Sequence, residues 1–548
     1  MSVIRILLLI TSSLVAASCV GPASSLRDAS QATPLWGRWE RAFVAERPPA
    51  DVAFTVTFTA PSGATHRVRG FWDGGLVWRV RFMPNEEGLW SYESHARPYV
   101  AGLSSRRGTF VCFTQRHNQN RFLQHGPVGV SPSGPFFAHR DGTPFFWLGD
   151  TAWNGPLRSS RADWDAYLLA RREQRFSVIQ FVATQWRAAA SDRLGLQAYS
   201  GYDDITINPA FFQRLDARID AINRAGLLAA PVLLWELGDP QTAPGQLPES
   251  QAIELARYLR ARYGAHHVAW FLGGDADYRG ERAERWKRIG RAVFGEGVDA
   301  PVFLHPQGMQ WPWDAFRDEE WLTALGYQSG HGDDAATLAW IHSGPAAEAG
   351  REETRRPIVN LEPPYEDHVA YQSGERHAAY NVRRAVYWSL LATPTAGVSY
   401  GAHGVWSWEV EPAVPMNHPN AGLARPWFEA VTLPGGADMR HVAELFERIP
   451  WWRLRPDPEL VVGQSPDPAR FIGAARTPDA LNAVVYLPRG GEVTLDRRRI
   501  STGTQATWFN PRDGRQSTAS PVRNMLYAAP DTLDWVLLFT PRPPASEP

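Results

Sequence analysis

The chain has 548 residues, with 56 basic and 57 acidic side chains and a formal net charge of −1. That balance excludes a general electrostatic pull toward nucleic acid or anionic lipid. The 44% hydrophobic content is enough for packed cores, and at about 150 residues per domain the length suits three or four domains, or fewer if one is a large barrel. Only two cysteines are present, Cys19 and Cys112, so neither a disulfide framework nor a cysteine metal cluster is available.

The N-terminus reads as an export signal. Arg5 precedes an apolar run, Ile6 to Ala17, too short to span a membrane. Small residues Ala16-Ala17-Ser18 stand before Cys19, as in a bacterial lipoprotein signal, although Ala16 stands where such signals usually carry Leu. The expectation is an exported protein, held in the periplasm or at the outer membrane by a lipid on Cys19, or otherwise secreted. Residues 1–19 are then the signal and lipobox, and Ser-, Ala- and Pro-rich 20–33 a tether.

From 34 to 115, short alternating apolar segments such as Val52–Phe58, Thr65–Trp72 and Val77–Phe82 are separated by turn residues, including Pro61-Ser62-Gly63 and Asp73-Gly74-Gly75. That spacing predicts a β-sandwich. Cys112, between Val111 and Phe113, is expected as a small buried hydrophobe. Residues 116–135 read as a linker.

Over 136–450 the pattern changes to strand-like runs alternating with helical stretches, the grammar of a parallel sheet. Eight strands are predicted: Pro144–Gly149, Ser177–Val182, Leu228–Trp235, Val268–Leu272, Pro301–Leu304, Leu325–Gln328, Pro357–Leu361 and Ala396–Tyr400. Helices include Ala162–Glu173, Pro209–Ala225, Ser250–Arg262, Glu281–Phe294 and His377–Ala392. Eight βα units over about 310 residues predict an α/β chain folded as a (β/α)8 TIM barrel, whose chemistry belongs at the C-terminal strand ends. From 451 to 542 short strands return, predicting a second, C-terminal β-sandwich.

Long loops follow the second and eighth strands, on the active-site rim, and carry Trp186, Tyr199 and Tyr202, and Trp406, Trp408, His418 and Trp427. Tryptophan is frequent, 24 residues in all. Most must fill cores, but an apolar face with a polar N–H also suits a sugar cleft. The strand ends gather Asp150, Gln180, Trp186, Trp235, Glu236, Asp275, His305, Gln328, His331, Glu362, Glu366, His403 and Trp406, with Trp153 and Tyr365 beside them. Glycoside hydrolysis needs two carboxyl groups astride the bond. The ends of strands four and seven face each other across a barrel mouth, which singles out Asp275 and Glu362. Glu366 is the rival second acid, and Asp150 reads equally as a strand-end anchor or a substrate contact. His305, His331 and His403 lack metal-ligand spacing, so no metal and no cofactor are expected. No Gly-x-Ser-x-Gly elbow or phosphate loop is present.

Several runs together resemble the apiosidase-like glycoside hydrolase barrel family: Pro144–Trp153, Phe271–Asp275, His305-Pro306, Gln328–His331, Asn360–Glu366 and Tyr400–Trp406. The flanking modules resemble the β-domain often found before this barrel and the C-terminal domain labelled collagen-binding. The resemblance implies a retaining glycosidase acting on a carbohydrate, with Asp275 as acid/base, Glu362 as nucleophile, and the remaining strand-end residues as substrate contacts. A carbohydrate-binding lipoprotein without turnover is the alternative. One departure stands out: such barrels usually read Gly-Phe-Asn entering strand two, and this chain reads Arg175-Phe176-Ser177.

Overall fold

The computed structural model describes residues 32–47, 52–352 and 354–543. Its centre is an eight-stranded parallel sheet rolled into a barrel. The strands are Trp147–Thr151, Val178–Val182, Leu228–Trp235, Trp270–Ala276, Val302–Pro306, Leu325–Gln328, Ile358–Glu362 and Gly397–Tyr400. They pair parallel in sequence order, and the first also pairs with the eighth. Strands five and six lie side by side without a ladder among the described residues, so the barrel is nearly closed. The strands are buried along their length because helices cover them outside and side chains fill the lumen. Trp147, Phe271 and Phe303 meet in that lumen, with ring centroids 5.1–6.2 Å apart.

Local sequence explains the helices. Arg161–Glu173 begins with a capping box, Ser160 with Asp163, and Pro209–Arg224 begins at proline behind the Asn208 cap. Strand four departs from expectation. It runs from Trp270 through Gly273-Gly274 to Ala276, two residues later at its start and four residues beyond the expected end at Leu272. A Cβ on Gly273 would lie 2.8 Å from the Trp286 ring, and one on Gly274 would lie 2.6 Å from the Trp235 ring. The glycines therefore let the strand continue between bulky neighbours.

Residues 116–135, read as a linker, contribute a short helix, Arg121–His125, and a strand, Val128–Val130. That strand joins Phe137–His139 and Pro144–Phe145 in a small antiparallel sheet. Phe137 packs 5.5 Å from Trp147, so this segment stops the N-terminal end of the barrel.

The N-terminal domain is a sandwich of a five-stranded and a three-stranded sheet. Trp39, Phe58, Phe82, Trp90 and Phe110 fill it, and Cys112 is 2% exposed among them. The C-terminal domain pairs a six-stranded with a three-stranded antiparallel sheet. Buried ions fix both domains to the barrel. Arg81 of the first domain and Arg262 of the barrel share Asp216 at 2.6 and 2.7 Å, and Arg262 also reaches Asp73 at 2.9 Å. Arg383 holds Asp438 at 2.7 Å and Asp534 of the last domain at 2.9 Å. Pairs this buried are costly to break by removing one partner. The expected signal, Cys19 and most of the tether lie outside the described residues.

Candidate active site

Both leading acids stand at irregularities in their strands. The register between strands four and five shifts twice around Asp275. The register between strands six and seven shifts at Leu361, so that Gln328 faces Glu362. A bulge breaks the alternation of side chains and re-aims the next one. Asp275 also has φ +49°, a left-handed conformation that a non-glycine residue adopts only when its surroundings impose it. The sequence carries no sign of either bulge beyond the two glycines.

The surroundings of the two acids differ. Gln328 Nε2 donates to Asp275 Oδ1 at 2.6 Å and to the Pro306 carbonyl at 2.7 Å. Gln307 Nε2 donates to the Asp275 carbonyl at 3.3 Å. Burial raises the Asp275 carboxyl above its ordinary range, and the nearby Glu362 charge adds to the rise. Burial works the same way on Glu362, but the imidazoles of His305 and His331 overcome it and hold that carboxyl at about 2. His331 Nε2 lies 3.1 Å from Glu362 Oε1, while its Nδ1 accepts from the Tyr365 N–H at 3.3 Å. That acceptance leaves the proton on Nε2, aimed at Glu362. His305 Nε2 lies 3.3 Å from Glu362 Oε2, close but poorly aligned for a hydrogen bond. One carboxyl is thus biased to keep a proton and the other to stay ionised.

Aromatic side chains gather beside these acids. Trp153 donates to the Tyr365 hydroxyl at 2.9 Å, and its ring lies 5.6 Å from His305 and 5.9 Å from Trp235. Trp235 packs 4.4 Å from Trp186, which faces Trp406 at 6.5 Å and donates to Asn154 at 2.5 Å. Trp406 donates to His403 Nδ1 at 3.1 Å, and His403 Nε2 donates to the Gly422 carbonyl at 3.1 Å. Burial lowers His403 to about 4, which keeps this neutral tautomer. His368 stacks on His331 at 4.1 Å, backing the ring that touches Glu362.

Four expected substrate contacts have partners within the protein, and three of them are turned away from the two acids. Asp150 has no exposed surface. Its carboxylate is 2.6 Å from Arg171 and accepts from Tyr167, on the helix side of strand one. Gln180 lies in the lumen, bonded to the Leu361 carbonyl at 3.0 Å and to Ser399. Glu366 accepts from Tyr400 at 2.6 Å and from the Gly435 N–H at 2.9 Å, so it fastens the segment after strand eight. Glu236 accepts from the Asp277 N–H at 2.9 Å and steadies the turn that carries Asp275. The altered entry to strand two also has an explanation. Arg175 takes φ +65°, the glycine-type conformation, and pairs with Glu447 at 2.8 Å. Ser177 accepts from the Leu148 N–H at 2.8 Å and donates to the Phe146 carbonyl at 2.7 Å, tying strand two to strand one.

Sequence reasoning missed Arg187 and Gln307. Arg187 follows Trp186 on the second-strand loop, donates to the Asn417 carbonyl at 2.6 Å, and its charge acts on Asp275. Asn417 returns a bond to the Arg187 carbonyl at 2.6 Å, joining the two long rim loops. Among the described residues, no three His, Cys, Asp or Glu side chains are gathered to hold a metal ion.

Comparison with known proteins agrees with this architecture. A glycoside hydrolase family 5 protein from Bacteroides vulgatus ATCC 8482 superposes with TM-score 0.68 at 23% identity, covering 76% of this chain and 94% of its own. A second structure from the same organism, described as "a putative glycoside hydrolase", superposes with TM-score 0.69 at 17% identity, covering 93% of this chain and 100% of its own. At such identities these matches show the fold. No curated protein matches the chain. Among families, "Domain of unknown function (DUF5060)" matches residues 33–97 and "Putative collagen-binding domain of a collagenase" matches 455–540. "Apiosidase-like, catalytic domain" matches 131–453, more than half of the chain, and the protein therefore belongs to the apiosidase-like family of glycoside hydrolases.

Proposed function

We propose that the protein hydrolyses O-glycosidic bonds of a plant or microbial polysaccharide with retention of configuration. Asp275 serves as acid/base and Glu362 as nucleophile. The observation that carries this reading is the opposite bias of two carboxyl groups at bulged strand ends. Separated proton affinities in neighbouring acids are what acid and nucleophile roles require. With Gln328 holding Oδ1, Asp275 keeps Oδ2 for the proton it gives to the departing oxygen. Glu362, ionised between two imidazoles, attacks the anomeric carbon, and Asp275 then takes a proton from the water that releases the sugar. Trp153, Trp186, Trp235 and Trp406 pack into a buried aromatic wall beside the acids, and only their edges remain for contact with a sugar. The family's name directs the first substrate trial to apiose-bearing glycans. In keeping with the N-terminal sequence, the enzyme works outside the cytoplasm.

The test is product analysis after incubation with a panel of cell-wall polysaccharides, apiose-containing pectin included. Released sugar with the wild type and none with Glu362→Ala supports the reading. Retention of a panel glycan on the protein with no product from any of them supports binding without turnover and refutes it.

A further inference from the structure

A second cavity, of about 1160 Å³, lies at the opposite end of the barrel from the acids, where the N-terminal sandwich meets it. One wall is the sandwich's edge strand, Thr65–Arg69. The other is formed by the ends of helices Glu249–Tyr263 and Gly280–Phe294, and Trp36 also lines the space. Arg67 and Arg69 come from the strand and Arg257 and Arg260 from the helix. None of the four has a carboxylate within 4 Å among the described residues, and Arg69 makes no hydrogen bond there. Charged residues on an edge strand are a common guard against edge-to-edge pairing. That explains Arg67 and Arg69 but not why the opposing helix presents two more cations. Like charges across a gap repel and weaken the fold. Arg257 and Arg260 are moreover held in position: Arg257 Nε donates to the Ala292 carbonyl at 3.0 Å and Arg260 Nη2 to the Gly297 carbonyl at 2.6 Å.

We propose that this interdomain cavity is a binding site for an anionic glycan segment, whose carboxylates pair with Arg67, Arg69, Arg257 and Arg260. Guanidinium is the group suited to planar carboxylates, through paired charge-assisted hydrogen bonds. The volume exceeds the roughly 300–1,000 Å³ of ordinary small-molecule pockets, as a run of several sugar units needs. Trp36 adds an aromatic face for a ring. Burial, and next the Arg257 charge, push the Arg69 guanidinium below its usual range; Glu296, which also lines the cavity, opposes this for Arg69 and Arg260 but pairs with neither among the described residues, so four cations face one carboxylate of the opposing helix end. The choice of a glycan over another polyanion rests on the proposed hydrolase function. The site would keep a charged polymer on the enzyme at a distance from the cleft that cuts it.

The test is calorimetric titration of the full chain carrying Glu362→Ala, which prevents turnover, with hexagalacturonate and with a neutral hexasaccharide. Hexagalacturonate alone should bind, more weakly as salt is raised, and Arg69→Ala with Arg257→Ala added should weaken it by about tenfold or more. Polysaccharide hydrolysis by wild type and by the double arginine variant, measured separately, tells a failure of this site from a failure of the catalytic reading. Equal binding of the neutral sugar, no binding of either, or binding unaffected by the arginine changes would overturn the proposal. So would arginine-dependent binding of anionic lipid vesicles without binding of hexagalacturonate.

Discussion

Asp150 and Arg171 form an ion pair with no exposed surface on either side chain. The distance is 2.6 Å, and Tyr167 donates to the same carboxylate oxygen. Arg171 Nη1 also donates to Gln174 at 2.6 Å and to the Val431 carbonyl at 3.2 Å, and its guanidinium faces the rings of Phe176, Tyr167 and Tyr400 at 5.0–5.5 Å. Asp150→Asn would leave that guanidinium buried without a counter-charge. Removing one partner of such a pair costs about 3–5 kcal/mol, whereas replacing both with apolar residues of similar size is often neutral. Asp150→Asn and Arg171→Met should therefore each lose that amount, and Asp150→Leu/Arg171→Met should recover most of it. Chemical denaturation followed by tryptophan fluorescence reads the barrel transition, and kcat/KM is measured on the same samples. Single variants of unchanged stability but raised KM would refute the argument and return Asp150 to the substrate site.

Glu366 is spent on Tyr400 and Gly435, so Glu366→Ala should cost about 1–3 kcal/mol of stability and keep the chemistry, measured by denaturation and by activity at a temperature below melting. The two acids should respond oppositely to pH in stability. Asp275 has a raised pKa in the fold, so its penalty is absent below the ordinary aspartate range and fully present above its folded value. Asp275→Asn should thus raise the melting temperature at neutral pH and not at acid pH. Glu362 has a depressed pKa, so its contribution is present above the ordinary glutamate range and lost as pH falls toward about 2; Glu362→Gln should destabilise at neutral pH and converge with wild type in strong acid. A melting series across pH checks both signs. Intact-mass measurement of membrane-extracted protein should find an acylated N-terminal Cys19, and an unmodified soluble chain starting elsewhere would contradict the lipoprotein reading.

The barrel was legible because each strand is a short apolar run closed by turn residues, and even the four-residue Leu325–Gln328 was found at its full extent. What the runs hide is phase. A strand buried on both faces shows no alternation, so nothing in Trp147–Thr151 says that Trp147 enters the lumen while Asp150 turns to the helices. Gln180 escaped for the same reason, being a polar side chain satisfied inside the lumen. Glu362 and Glu366 lie four residues apart with similar neighbours in sequence. Only the bulge at Leu361 and the reach of Gly435 from a distant helix separate cleft from scaffold. The basic cavity was invisible for another reason: its arginines come from two domains and become neighbours only when these dock.

The most direct measurement is azide rescue of Asp275→Ala on an activated aryl glycoside of the sugar that the panel identifies. Loss of the acid should cost about 10²–10⁴-fold on the natural glycan and much less on the activated substrate, whose leaving group needs no proton. Azide should then restore turnover and yield a glycosyl azide of retained configuration, while Glu362→Ala stays inactive on both substrates. Wild-type activity in either variant, or a product of inverted configuration from Asp275→Ala, would contradict the account.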